Sequence, residues 1–312
     1  MKKKLLSGCI ATLLISSLCM SCGVKTEKNS SASAVTSTKE NKMEESNIME
    51  TKTDVAQKEG KYKVKSETIE IKNGENTIVG DIYMPDSDGK FPAIVMGHGY
   101  NGSGKDFKRE AFYYASNGYI ALSIDFCGGS VNSRSTGKTT DMTVFTEKSD
   151  ALAAFSYVKS LDNVDPDHIY MFGGSQGGFV ASLATEELMD QVKGLILYFP
   201  AFCIPDNWKN TYPELSDIPD ENDFWGMKLG RNFFESIHDF DVFDNIGKYE
   251  GNVLIFHGDK DNLVPIDYSK KAVSIYPHAK LIIMPNEGHG FTPLGVKRAM
   301  CQILDFMDEN KN

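Results

Sequence analysis

Five stretches of the chain are continuously apolar in the way that strands covered on both faces require: Pro92 to Met96, Tyr119 to Ile124, Ile169 to Phe172, Val253 to Phe256 and Leu281 to Met284. Ahead of them, Glu67 to Lys72 and Thr77 to Met84 alternate in polarity around Asn73-Gly74, a turn dipeptide, and predict an antiparallel hairpin. Helical patterns separate the strands. Asp106 to Ser116 is one, and Val144 to Leu161 is another, with Leu152, Phe155, Val158 and Leu161 on one side. An alanine-rich helix follows Phe179, and a last one spans Val296 to Met307. This alternation predicts an α/β fold, a mostly parallel, doubly wound sheet of about eight strands with helices on both faces.

The two ends of this pattern are unlike each other. Residues 1–22 read as an export signal: Lys2 to Lys4 give a basic start, and the apolar run Leu5 to Met20 is short for a membrane span. The run ends in Leu18-Cys19-Met20-Ser21-Cys22, which is similar to a bacterial lipobox with Cys22 as the lipidated residue, although Cys19 stands where an aliphatic residue is usual. Residues 23–60 are rich in Ser, Thr, Lys and Glu, carry no aromatic residue, and read as a disordered tether. The folded domain is expected over residues 61–312. Within it, residues 202–249 interrupt the strand and helix rhythm and read as an insertion.

Charge and cysteine content narrow the partners. A formal net charge of −10 argues against nucleic acid or an anionic bilayer as the binding surface, leaving contact with a membrane only through the lipid on Cys22. Cys127, Cys203 and Cys301 fall in the folded domain, an odd number without metal-ligand spacing. Two readings stay open: three free thiols, or one bridge such as Cys127 to Cys203.

The chemistry centres on Ile169 to Ala184. An apolar strand runs into Gly173-Gly174-Ser175-Gln176-Gly177 and then a helix, the pattern of a nucleophile elbow. A serine there adopts strained backbone angles, and glycines two residues to either side let strand and helix approach closely. Serine is a poor nucleophile alone, so it needs an imidazole, and the imidazole needs an orienting acid. Both occur downstream past strand ends. His289 follows Leu281 to Met284, and the loop after Val253 to Phe256 offers Asp259 and Asp261. Of the other histidines, His98 and His257 at strand ends read as structural hydrogen-bonding groups, and His168, His238 and His278 as surface or capping residues. Asp125 at a strand end reads as structural, and Gly137-Lys138-Thr139 as a solvated loop.

With those residues in view, residues 62–312 resemble an α/β-hydrolase. Within that superfamily they resemble bacterial feruloyl (cinnamoyl) esterases and related carboxylesterases, close to serine-peptidase-like hydrolases. The resemblance rests on His98-Gly99-Tyr100-Asn101-Gly102, Asp125 to Ser130, Gly173 to Gly178, Phe199-Pro200-Ala201, His257 to Pro265 and Gly288-His289-Gly290-Phe291. Two positions depart from it: Gly174 replaces the usual histidine before the serine, and the loop after the fourth strand lacks the usual Gly-x-Gly-x-Ser order. The resemblance implies Ser175, Asp261 and His289 as the catalytic triad, with Asp261 preferred over Asp259. It implies an oxyanion hole built from the backbone N–H groups of Tyr100 and Gln176, and makes residues 202–249 a lid inserted after the sixth strand.

The expected activity is therefore that of an exported, lipid-anchored serine hydrolase acting on a small-molecule carboxylic ester, with no metal or cofactor. Both tryptophans of the chain, Trp208 and Trp225, lie in the insertion, and with Phe202 they are the candidates to shape an acyl pocket for hydroxycinnamoyl or other small acyl groups. A serine peptidase would use the same triad. A non-catalytic surface binding lipoprotein would need none of it, and all three triad positions are filled.

Overall fold

The computed structural model describes residues 47–50 and 57–311. Residues 1–22, including Cys22, and most of the stretch read as a tether lie outside the described residues.

The hairpin forms around Asn73-Gly74, with Gly74 at φ 57°, between β2 (Val64–Asn73) and β3 (Asn76–Pro85). Its second strand pairs antiparallel with β5 (Ile120–Asp125). From there the sheet is parallel through β4 (Phe91–Gly97), β6 (Val164–Gly174), β7 (Gly194–Tyr198), β10 (Asn252–Gly258) and β11 (His278–Met284). Among the described residues the sheet has nine strands where about eight were expected, because β11 carries one further strand on its outer edge.

The additional strand is β1 (Ile48–Glu50), which pairs parallel with β11 from Ile48 opposite Leu281 to Glu50 opposite Ile283. It lies inside the stretch read as a disordered tether. Three residues are too few to show a period of two, so only the exposed edge of β11 reveals them as a strand. Gln57 to Gly60 are described as well. Lys58 pairs with Asp305 and Asp308 at 2.9 Å each, and the Lys61 N–H donates to the Ser116 carbonyl.

Helices cover both faces, and alternate strand residues feed two cores. On one side Val95, Leu122, Met171 and Leu195 meet α2 (Val144–Lys159) and α3 (Gln176–Leu188) through Phe155, Val158, Phe179 and Val180. On the other, Ile94, Ala121, Phe172 and Ile196 meet α1 (Lys108–Ser116) and α7 (Pro293–Glu309) through Tyr114, Met300 and Leu304. α1 is shorter than the sequence pattern because Gly104 to Phe107 form a separate 3-10 turn. α7 starts earlier than expected: Pro293 occupies its first turn and the Thr292 side chain caps the Gly295 N–H. α6 (Ile266–Ile275) links β10 and β11.

Between β7 and β10 the insertion holds α4 (Ile204–Thr211), a small hairpin of β8 (Glu221–Phe224) and β9 (Met227–Gly230), and α5 (Arg231–Ile237). Met227, Leu229, Phe233 and Phe234 sink into the first core, so the insertion is rooted in the body.

Candidate active site

Ser175 stands where β6 ends and α3 begins, at φ 54° and ψ −121°, a conformation costly for a side chain with a Cβ. The flanking glycines are required by contact. A Cβ on Gly173 would lie 2.0 Å from the Gly177 carbonyl oxygen, and one on Gly177 would lie 2.3 Å from that of His98. The Ser175 N–H donates to the Tyr198 carbonyl at 2.9 Å, which fixes the turn against the neighbouring strand.

His289 reaches the serine from the loop after β11. Its Nε2 lies 2.9 Å from Ser175 Oγ, and its Nδ1 lies 2.8 Å from Asp261 Oδ2. The loop is held at both ends: the Lys260 N–H donates to the Glu287 carbonyl at 2.9 Å, and buried Glu287 accepts from the Thr292 N–H and hydroxyl at 2.6 Å each.

The Asp261 side chain is shielded from solvent. Its Oδ1 accepts the N–H groups of Leu263 and Val264 at 2.9 Å, and His257 Nε2 lies 3.2 Å from Oδ2. Burial alone would raise this carboxyl. Hydrogen bonds from His257, His289 and the Val264 N–H outweigh it and hold the group well below the ordinary carboxylate range. As a carboxylate it can only accept, so the Nδ1 of His289 carries the proton and Nε2 is left to accept from the serine hydroxyl. Asp259 is placed elsewhere: its Oδ1 accepts the Asn286 N–H at 2.6 Å, bracing the histidine loop without touching the imidazole.

A cavity of about 260 Å³ opens in front of Ser175 and His289. Tyr100 and Gln176 line it, as do Trp208 and Trp225. Phe202 does not. It is 1% exposed and packs edge-on against Phe179 and Phe243, because the tight turn after β7 presents Ala201 and Cys203 to the cavity and rotates the residue between them into the core. Phe224 and Phe233, aromatics of the same insertion, complete the apolar walls together with Leu229 and Leu263, which the sequence does not single out. Phe224 sits beside Trp225-Gly226, a turn with φ of 48° and 78°, which sets an aromatic pair at the hairpin tip. Among the described residues lining the cavity, none is a carboxylate, lysine or arginine.

The remaining polar groups support this centre. His98 Nε2 accepts the Phe126 N–H at 3.0 Å and its Nδ1 donates to the Gly99 carbonyl at 2.7 Å, with burial lowering its proton affinity. Asp125 is gripped by the Arg134 guanidinium at 2.8 and 2.9 Å. His238, expected at the surface, is buried and hydrogen-bonded to the carbonyls of Tyr212 and Pro213. All three domain cysteines are free and buried, and burial pushes the Cys127 and Cys203 thiols up to about 12 and about 11.

A strained serine aimed at a neutral imidazole, itself oriented by a buried carboxylate, can be deprotonated as it attacks a carbonyl. Sequence comparison decides the family: the prolyl oligopeptidase family matches residues 105–312. The chain belongs to this family. Its fold is that of the α/β-hydrolases. Among solved structures it is similar to Est1E from Butyrivibrio proteoclasticus with ferulic acid bound, at 30% identity and a TM-score of 0.70 over 77% of this chain and 99% of that one. Acetyl xylan esterase from Paenibacillus sp. R4 shares the fold, at 17% identity and a TM-score of 0.61 over 86% and 92% of the two chains. A putative carbamate hydrolase, RutD of Caulobacter sp. (strain K31), is 27% identical over 111 residues, 35% of this chain and 41% of that protein. An uncharacterized peptidase, YtmA of Bacillus subtilis (strain 168), is 24% identical over 168 residues, 52% of this chain and 63% of that protein. The chain thus spans less than two thirds of either curated relative.

Proposed function

We propose that this member of the prolyl oligopeptidase family is a carboxylic-ester hydrolase that forms an acyl-enzyme on Ser175 and accepts hydroxycinnamoyl or similarly small planar acyl groups. One observation carries the reading: the cavity in front of the serine is walled by Trp208, Phe224, Trp225 and Phe233 and carries no formal charge beyond what His289 acquires in turnover. At about 260 Å³ it lies near the lower end of ligand cavities, room for one ring and a short linker. A peptide amine would need a carboxylate to receive its ammonium; a neutral aromatic acyl group needs only flat apolar walls. The likeness to a ferulic acid complex at 30% identity supports the same class.

In this reading Ser175 Oγ attacks the ester carbonyl while His289 Nε2 takes its proton, and the imidazolium is stabilised by Asp261. The N–H groups of Tyr100 and Gln176 receive the oxyanion, a donor of this kind being worth about 10²–10³ in rate. The imidazolium returns its proton to the departing alcohol. Water, deprotonated by the same imidazole, then attacks the acyl-enzyme, and the acid leaves as Ser175 recovers its proton.

The peptidase reading has its own support, in the family name and in YtmA. A substrate panel separates them. Purified protein is expected to cleave methyl ferulate or p-coumarate with a kcat/KM at least comparable to that for p-nitrophenyl acetate, and to leave aminoacyl and prolyl anilides intact. Ser175→Ala should abolish turnover and fluorophosphonate labelling. Preferential anilide cleavage would replace the esterase reading with the peptidase one.

A further inference from the structure

We propose that the Tyr100 side chain ties the oxyanion loop to the aromatic hairpin of the insertion, so that it acts as a positioning residue through which the acyl cavity and the oxyanion donors are held in register. This rests on the ester-hydrolase reading for its consequence, though not for its geometry.

Tyr100 follows His98-Gly99 in the loop after β4, one residue before Asn101, whose φ is 53°. Its backbone is the expected oxyanion donor. Its side chain reaches a segment more than a hundred residues further along the chain: the hydroxyl donates to the Phe224 carbonyl at 2.7 Å and lies 3.4 Å from that of Met227. Those two carbonyls flank the Trp225-Gly226 turn, and the single hydroxyl proton goes to the nearer, that of Phe224, with Met227 at the edge of its reach. The ring packs edge-on to Phe224 and Trp225, with centroids at 5.3 and 6.4 Å. Phe224 in turn stacks on Trp225 at 4.5 Å and meets Trp208 edge-on at 5.0 Å.

The tie matters because of what else holds the tip. Met227 and Leu229 anchor the inner strand β9 in the core, whereas the outer strand β8 is largely exposed and Trp225 is 63% exposed. A two-stranded ribbon of four residues a side is marginal by itself. Burial keeps the Tyr100 phenol protonated, so it remains a donor across the working pH range. Phenylalanine would preserve the ring, the volume and the backbone N–H, and remove only the grip.

Tyr100→Phe, Trp225→Ala and the double variant test this, assayed on whichever ester of the panel the wild type cleaves best, so a failed hydroxycinnamate reading leaves the test standing. Tyr100→Phe should lower kcat/KM about tenfold, the scale of one lost hydrogen bond, with part of the loss in kcat. Trp225→Ala should cost a similar factor, chiefly in KM. The double variant should lose about twentyfold rather than the hundredfold product of independent effects, because the two changes release the same tip. Hydrogen exchange across residues 221–230 should accelerate at least about tenfold in Tyr100→Phe without substrate present. Multiplicative losses, a change confined to KM, or unaltered exchange at the hairpin would each overturn the proposal.

Discussion

Replacing Asp261 with asparagine changes one atom and should disable the enzyme, for a reason visible in the hydrogen bonds. Oδ1 accepts two backbone N–H groups, from Leu263 and Val264 at 2.9 Å, so the asparagine must keep its carbonyl oxygen there. Its NH₂ is then forced to the position of Oδ2, 2.8 Å from His289 Nδ1. A donor facing that nitrogen selects the tautomer protonated on Nε2, and Nε2–H can only donate to Ser175 Oγ where acceptance is needed. In serine proteases the equivalent change costs about 10⁴ in kcat, about 5.5 kcal/mol of barrier. The same NH₂ also meets His257 Nε2, at 3.2 Å from Oδ2, so a lower melting temperature should accompany the loss. Asp259→Asn keeps an oxygen available to the Asn286 N–H and should cost less than about tenfold. Steady-state hydrolysis of p-nitrophenyl acetate by both variants, with Ser175→Ala as the background, measures this. An Asp261→Asn rate within tenfold of wild type, or a larger loss at Asp259, would refute the tautomer argument and move the orienting acid.

Glu147, wholly buried on α2 with Oε2 accepting from the Gln176 amide at 2.8 Å, is pushed up to about 8 by burial, with Asp150 adding to the effect. A folded-state value above the ordinary 4.5 means the folded protein holds the extra proton between the two, so stability should fall as pH rises through that window, by at most about 1.4 kcal/mol per unit. Glu110, raised to about 7 by burial, acts in the same sense, and the depressed Asp261 contributes only at acid pH. Thermal scans at pH 5.5 and 8.5 should therefore show the wild type melting lower at 8.5 and Glu147→Gln shrinking the difference, with Glu110 accounting for what remains; equal midpoints for the wild type would contradict it. Phe202→Ala should destabilise by about 3–5 kcal/mol while leaving KM in place, whereas Trp225→Ala should raise KM for an aromatic ester at little cost in melting temperature. Selective loss of aromatic-ester binding in Phe202→Ala would return that residue to the pocket. If Cys22 carries lipid, the protein should fractionate with membranes and Cys22→Ser should release it or block maturation; a wholly soluble wild type lacking acyl mass on Cys22 would leave only export.

What could be read from the chain follows how local each constraint is. The elbow was legible because Gly-x-Ser-x-Gly is a local spacing and Gly173 is fixed by the Gly177 carbonyl four residues on, although Gly177 itself is required by the distant carbonyls of His98 and Gly97. Strand ends mark where Asp261 and His289 emerge, yet periodicity did not separate Asp261 from Asp259. Two residues apart on one loop, they differ only in which backbone and imidazole groups fold back onto them. β1 was missed because pairing with β11, more than two hundred residues away, creates it. Phe202 and Trp225 are equally aromatic in the sequence, and the difference between core and cavity is decided by one turn and one hairpin tip.

The insertion extends this argument to specificity. Ser175, Asp261 and His289 are set by strand ends of the sheet, and a triad of this kind can act on ester and amide bonds alike. On the proposed reading, discrimination comes from residues that the triad does not require: the uncharged walls formed by Trp208, Phe224, Trp225 and Phe233, and the tyrosine hydroxyl that ties their hairpin to the loop after β4. Composition revealed that aromatics gather between β7 and β10. It could not reveal that Tyr100 crosses to meet them, because a donor and its carbonyl separated by 124 positions leave no pattern in either segment. On the proposed ester-hydrolase reading, substrate choice depends on that long-range contact, and single substitutions at it should alter selectivity before they alter the fold.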